Sequence, residues 1–254
     1  MTVFDVYIQK VAEYAKAMRA KGREIRTFQA PLSSVRHGKR LPIRVGPGAN
    51  PGIILRDDTS VELGNPEAGS SAFLLLTDSP SLLKDGHITL IGPDIKESAG
   101  KSLPFGQVLM VGGTSLADKD FEALQHNQII GDQIEGYMAR SMTRNIWSRV
   151  SKEAAGKGFS FEMLGQALMT ICRSGQTRIQ AVEAVFVTSG KNDLKPLNDL
   201  AEQVQKIGRE VVRENWKIKG YDIDCLSDCG NCKDKSVCDD IKEVLLETKN
   251  KLIA

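Results

Sequence analysis

Four cysteines stand within fourteen residues, in the run DCLSDCGNCKDKSVCDD. Cys225, Cys229, Cys232 and Cys238 follow the spacing C-x3-C-x2-C-x5-C. Thiolates are soft ligands that select zinc or iron–sulfur clusters. Spacing this compact suits one loop wrapped on a 4Fe–4S cluster better than two separated zinc knuckles. Structural zinc is the first alternative, and reduced thiols or disulfides are the second. Gly230 lets the backbone turn sharply between ligands and frees an amide to point at sulfur. Asp222, Asp224, Asp228, Asp234, Asp239 and Asp240 flank the run. They read as a solvated rim, with a docking face for a basic partner as the sharper alternative. The fifth cysteine, Cys172, lies on the apolar face of an expected helix and reads as a small core residue.

A second group could receive phosphate. Arg140, Arg144 and Arg149 lie close together around Trp147. Arginine matches phosphate geometry in a bidentate fork and stacks on aromatic or purine faces. Such a set could hold a phosphorylated adenine nucleotide such as coenzyme A. The plainer reading is a helix with solvated charges and one buried tryptophan. An earlier basic cluster comprises Arg36, His37, Lys39, Arg40 and Arg44. His37, His87 and His126 are isolated and match no metal-binding pattern, so each reads as structural or exposed. Gly46-Pro-Gly48 and Gly112–Gly113 read as turns. Neither forms a phosphate-cradling loop, and no nucleophile elbow is present.

These residues need elements to position them. Val3, Tyr7, Val11, Tyr14 and Met18 recur at helical spacing and predict a helix over 3–22. Residues 23–50 read as a basic loop with one short strand, Leu41–Val45. Short apolar or alternating runs predict strands at Ile53–Leu55, Ser60–Leu63, Ala72–Thr77, His87–Ile91 and Gln107–Val111. From Leu116 to Trp147 the apolar spacing reads as helical, with a break near Gly131. A short helix at Lys152–Lys157 and another over 161–174 follow. Then come a strand at Ala181–Thr188 and a long helix over 193–218, which carries Leu197, Leu200, Val204, Ile207, Val211 and Trp216 along one side. A last helix is expected from Asp239 to Leu252. Strands cluster before helices, which predicts an α+β fold: a mixed or antiparallel sheet with flanking helices, plus a cysteine-rich metal-binding segment. The corresponding division is 1–40 for the first helix and basic loop, 41–220 for the main domain and 221–254 for the cysteine segment and terminal helix.

Composition bounds the function. The chain has 254 residues, a formal net charge of +2, 41% hydrophobic and 6% aromatic residues. Near-neutral charge and few aromatics argue against nucleic acid as a partner. No segment reaches the roughly 18 consecutive apolar residues of a membrane span. Asp5, Lys10 and Glu13 interrupt any signal-like core, so a cytoplasmic protein without a membrane partner is expected. Clustered cysteines fit metal binding better than a secreted disulfide frame.

Several motifs in one order carry a family resemblance. They are IGPDI at Ile91–Ile95, the G-x-x-LP-x-G turn at Gly100–Gly106, the D-F-E helix start at Asp120–Glu122, and the RN…W-x-RVSK…KGF run at Arg144–Phe159. With LPIRVGP at Leu41–Pro47 and the long helix near Ala201–Trp216, the likeness covers about residues 41–220. Over this stretch the chain resembles the middle domain of the acetyl-CoA synthase subunit of the carbon monoxide dehydrogenase/acetyl-CoA synthase complex. One residue is deleted between Asn145 and Trp147 relative to that family. The resemblance implies an α+β domain that helps bind coenzyme A and orient its neighbours during methyl, carbonyl and acetyl transfer. It implies as partners a corrinoid methyl carrier or subunits of the complex. Arg144 and Arg149 match family arginines, whereas the family's implicated tryptophan falls where this chain has Met138 or Ala139. Cysteines start at the point where the family's nickel–iron–sulfur segment begins, but their spacing differs and no C-G-C follows. The expectation is therefore a related binding module, not catalytic alone. The alternative is a subunit of a split enzyme with that centre on another chain.

Overall fold

A computed structural model describes residues 3–30, 41–46, 49, 52–114, 116, 133–142, 144–174 and 178–218. Met1–Ile207 form one compact unit and Gly208–Ala254 a second. The first unit opens with helix α1 (Asp5–Ala20). Strands β1 (Ile25–Gln29), β2 (Thr59–Leu63), β3 (Ser70–Thr77), β4 (His87–Ile91), β5 (Ser102–Leu103) and β6 (Phe105–Gly113) follow. Next come the hairpin strands β7 (Tyr137–Met142) and β8 (Asn145–Ser151). Helices α2 (Lys152–Gly156) and α3 (Phe161–Arg173), strand β9 (Ile179–Val187) and helix α4 (Lys195–Ile218) complete the order.

The strands form two sheets. The larger has the order β1-β4-β9-β6-β3 and the smaller β5-β2-β8-β7. In the large sheet β4 runs parallel to β9 and β3 parallel to β6, while β6 and β9 are antiparallel. The α+β expectation with a mixed sheet holds, with the strands divided between two sheets.

Other elements pack on both faces of the large sheet, which is why its central strands β6 and β9 are mostly apolar, with Gln107, Gln180 and Glu183 as the polar exceptions. All nine residues of β6 are buried. On one face, Phe105, Leu109, Ile88, Leu90 and Phe186 pack with α3 and with Leu63, Ile146 and Val150 of the small sheet. Phe161 packs at the centre with its ring tilted against both neighbours, 5.8 Å from Phe105 and 5.3 Å from Phe186. On the other face, Phe73, Leu75, Val108, Val185 and Val187 meet Tyr7, Val11, Tyr14 and Met18 of α1 and Leu197, Leu200 and Val204 of α4. Thr77 Oγ1 donates to Asp5 at 2.7 Å and Tyr14 OH to the Asp193 carbonyl at 2.9 Å, pinning α1 at two points. Arg23 pairs with the buried Asp193 carboxylate at 2.9 Å.

The family-like motifs have structural roles here. In IGPDI, Gly92 has φ +111°, and a Cβ there would sit 2.5 Å from the Ser189 nitrogen. Asp94 closes a capping box on the short 3-10 turn Ile95–Ser98. Its Oδ1 also accepts from Phe161 N at 3.1 Å, at the entry to α3. The motif thus fastens α3 to the end of β4. Ser151 caps α2 and Ser160 caps α3 through backbone amides at 3.0 and 3.2 Å, the arrangement favoured at helix starts.

Five local expectations need correction. The helix over Leu116–Trp147 is replaced, in its described later part, by the β7–β8 hairpin. Burial along β8 alternates strictly from Asn145 to Ser151. That period was obscured because Ser148 is buried while Trp147 faces outward, the reverse of their usual places. Ile53–Leu55 is not a strand: Ile53 and Leu55 are 84% and 60% exposed and only Ile54 is buried. Leu41–Val45 reduces to a single bridge, Val45 to Ile134. Residues 23–30 are not all loop, since β1 pairs with β4 from Ile25 to Gln29. Gly112–Gly113 end strand β6 instead of making a turn, and a Cβ at Gly112 would lie 2.8 Å from Pro80 Cα.

Candidate functional site on the small sheet

The small sheet has a core face and an outward face. Alternation along β2 and β8 sends Val61, Leu63, Ile146, Ser148 and Val150 inward. The intervening residues Glu62, Trp147 and Arg149 therefore share the outward face. Register sets Glu62 opposite Arg149, Arg149 opposite Met138, and Arg140 opposite Trp147. Three of the four residues expected to meet a nucleotide are thus gathered on β7 and β8, and Arg144 lies in the turn between these strands.

Glu62 organises this face. Its Oε1 accepts from Trp147 Nε1 at 3.1 Å and from Arg149 Nε and Nη2, both at 3.3 Å. Its Oε2 accepts from Asn65 Nδ2 at 3.0 Å and Ser102 Oγ at 3.2 Å. The Arg149 guanidinium also stacks over the Trp147 ring, 4.6 Å from its centroid. Its remaining fork arm donates to the Ile54 carbonyl at 3.2 Å. Both charged side chains are mostly withdrawn from water, with 20% of Arg149 and 25% of Glu62 exposed. Desolvation pushes the Glu62 carboxyl up. The hydrogen bonds from Asn65, Trp147, Ser102 and Arg149 outweigh it, and the carboxyl is held below its ordinary value.

The other two arginines differ. Arg144 makes an exposed pair with Glu202 at 3.3 Å. Arg140 is exposed, and among the described residues it has no ion-pair partner. The face therefore offers one accessible guanidinium group, that of Arg140, beside Arg149, which is already matched to a carboxylate, while Arg144 sits in the adjoining turn, paired with Glu202. Glu62 escaped the sequence reading because its partners lie 85 and 87 residues away. The only available signal was a lone acid on an alternating strand.

Cys172 is buried, and burial pushes its thiol up to about 12, with Arg173 opposing weakly. That agrees with a core role. His87 lies 3.4 Å from Glu183. Cys225, Cys229, Cys232 and Cys238, with His37 and His126, lie outside the described residues. Among the described residues no three His, Cys, Asp or Glu side chains converge as a metal site. Nor is any helix among them long and apolar enough to cross a membrane.

Residues 41–192 match the family model of the CO dehydrogenase/acetyl-CoA synthase complex beta subunit. The chain belongs to that family. It is 31% identical over 205 residues to the acetyl-CoA decarbonylase/synthase complex subunit beta of Archaeoglobus fulgidus, covering 79% of this chain and 38% of that one. Beta subunit 1 of Methanosarcina thermophila is 26% identical over 195 residues, 76% of this chain and 40% of the relative. The carbon monoxide dehydrogenase/acetyl-CoA synthase subunit alpha of Moorella thermoacetica is 32% identical over 179 residues, 68% of this chain and 23% of the relative. The chain spans about two fifths or less of the length of these curated relatives. The matched stretch includes the whole small sheet with Glu62, Trp147 and Arg149.

Proposed function

We propose that the chain is an acetyl-CoA-synthase-related binding module of one-carbon metabolism. It docks a corrinoid methyl carrier or subunits of a carbon monoxide dehydrogenase/acetyl-CoA synthase complex. The observation that carries this reading is family membership over residues 41–192, in relatives whose names describe subunits of such complexes. Docking is tested by anaerobic sedimentation of the chain with a corrinoid carrier and, separately, with subunits of the complex. Co-sedimentation with one of them is the expected result. Independent sedimentation from both overturns the reading.

Cys225, Cys229, Cys232 and Cys238 are proposed to hold one 4Fe–4S cluster, with zinc as the alternative. Support comes from the donor set, four thiolates within one short segment. A cluster would supply electron transfer or a structural cross-link, and the chain's own contribution is the four thiolates. Anaerobic iron, sulfide and zinc determination on wild type and Cys232→Ser tests this. Full metal content in the variant, or none in reconstituted wild type, removes the assignment.

Coenzyme A is the small molecule proposed for Arg140, Arg144, Arg149 and Trp147. Its phosphates must either compete with Glu62 for Arg149 or rely on Arg140 and Arg144. Calorimetry should therefore show tighter binding to Glu62→Gln than to wild type. Absence of binding to both at millimolar concentration removes coenzyme A from the reading. A split enzyme, with the nickel-bearing centre on another chain, is the second reading. Family membership alongside subunits of such complexes supports it. Acetyl-CoA synthesis that appears only when such a chain is added would establish it over a docking module.

A further inference from the structure

We propose that a groove beside α1, on the helix-covered face of the large sheet, binds a small amphiphilic anion: an apolar body carrying one carboxylate or sulfonate group. The groove is far from the Glu62 face in the fold's layering, since it opens on the opposite side of the large sheet.

Its origin is in the α1 sequence. Tyr7, Val11, Tyr14 and Met18 form the buried stripe. On the flank of that stripe stand Ala12 and Ala15, whose side chains are too short to cover the sheet beneath. α1 begins beside Thr77 at the β3 edge and ends just before β1 at the opposite edge, so it crosses the sheet obliquely. The strip of sheet left open is floored by Ile25, Thr27, Thr89, Met110 and Val185 and has a volume of about 300 Å³. That is the lower end of the range for small-molecule sites, about 300–1,000 Å³.

Charge selects the ligand. Lys16, Arg19 and Lys84 line the groove against a single carboxylate, Glu183. None of the three cations has an ion-pair partner among the described residues. Glu183 is already engaged: its Oε2 accepts from the Lys84 backbone amide at 2.9 Å and its Oε1 lies 3.4 Å from His87 Nδ1. Thr89 Oγ1 lies 3.4 Å from the same ring nitrogen. His87 itself lines the groove. An apolar body displaces water from Ile8, Val11, Met110 and Val185, while the anionic end answers the unpaired cations.

The test uses the full chain and the fluorescent probe 8-anilinonaphthalene-1-sulfonate, an aromatic body with one sulfonate. Titration should give one saturable site. Octanoate should displace the probe and octylamine should not. Ala15→Trp, which fills the groove, should abolish saturable binding. Lys16→Glu with Arg19→Glu changes only the rim and should weaken binding about tenfold. It keeps the proposal open to refutation if Ala15→Trp fails to fold, as judged by circular dichroism. Three outcomes would each overturn the proposal: equal displacement by octylamine, unchanged binding in the charge-reversed variant, or no saturation below about 1 mM.

Discussion

The two sheets divide the work of this molecule. The large sheet is packed on both faces, save for the strip beside α1, and its central strands β6 and β9 are mostly apolar. The small sheet buries one face and turns the other, with Glu62, Trp147 and Arg149, outward. Polar chemistry is affordable on the second sheet because its outward face meets water at the edges, so charged groups are only partly desolvated. The first sheet holds the unit together by packing, and the second displays a preset electrostatic arrangement. Substitutions in each should fail in different ways.

The largest effect should come from the aromatic cluster at the centre. Phe186→Ala removes a fully buried ring that contacts Phe105 and Phe161. It should lower stability by about 3–5 kcal/mol, read from the urea unfolding midpoint. A loss below about 1 kcal/mol would show that the large sheet is not the stabilising half. Gly112→Ala should cost about 1–3 kcal/mol by the same measurement, since the added methyl meets Pro80 backbone at 2.8 Å. Neither change should alter the Trp147 environment.

Glu62→Gln acts on the other sheet. It should cost about 1–2 kcal/mol at pH 7, because hydrogen bonds to a charged acceptor are weakened while an acceptor remains. It should also change the near-ultraviolet circular dichroism of Trp147. The pH dependence has a definite sign. The folded carboxyl of Glu62 is held below its unfolded value. Its stabilisation is therefore complete above the unfolded glutamate value of about 4.3 and is lost as pH falls through the lower folded value. The difference between wild type and variant should be constant from neutral pH down to about 5 and shrink in acid. A difference that grows in acid would contradict the assignment. Smallest of all, Arg144→Ala breaks an exposed pair with Glu202 and should change stability by less than about 1 kcal/mol. If it nonetheless weakens coenzyme A binding, the β7–β8 turn is part of a ligand surface and not only a structural connection.

The sequence by itself settled the features that depend on local periodicity. The apolar stripe of α1 from Tyr7 to Met18, though not the exposed Val3, the stripe of α4 from Leu197 to Ile207, and the runs at β3, β4, β6 and β9 were legible, because burial on a regular element leaves a period of 3.6 or 2. Ordered motifs also disclosed the family, while the cysteine spacing is the basis of the metal-binding proposal for residues outside the described ones. The β7–β8 hairpin was not legible, since a buried Ser148 and an outward Trp147 break the pattern that hydrophobicity reveals. Nor was the role of Glu62. It depends on β2 pairing with β8 across more than eighty residues, and strand register sets which side chains face one another. Tertiary structure alone decided that Arg149 and Trp147 are matched to a carboxylate instead of standing free on a helix. Long-range pairing is chosen by the summed burial of whole sheets, and no window of sequence contains that sum.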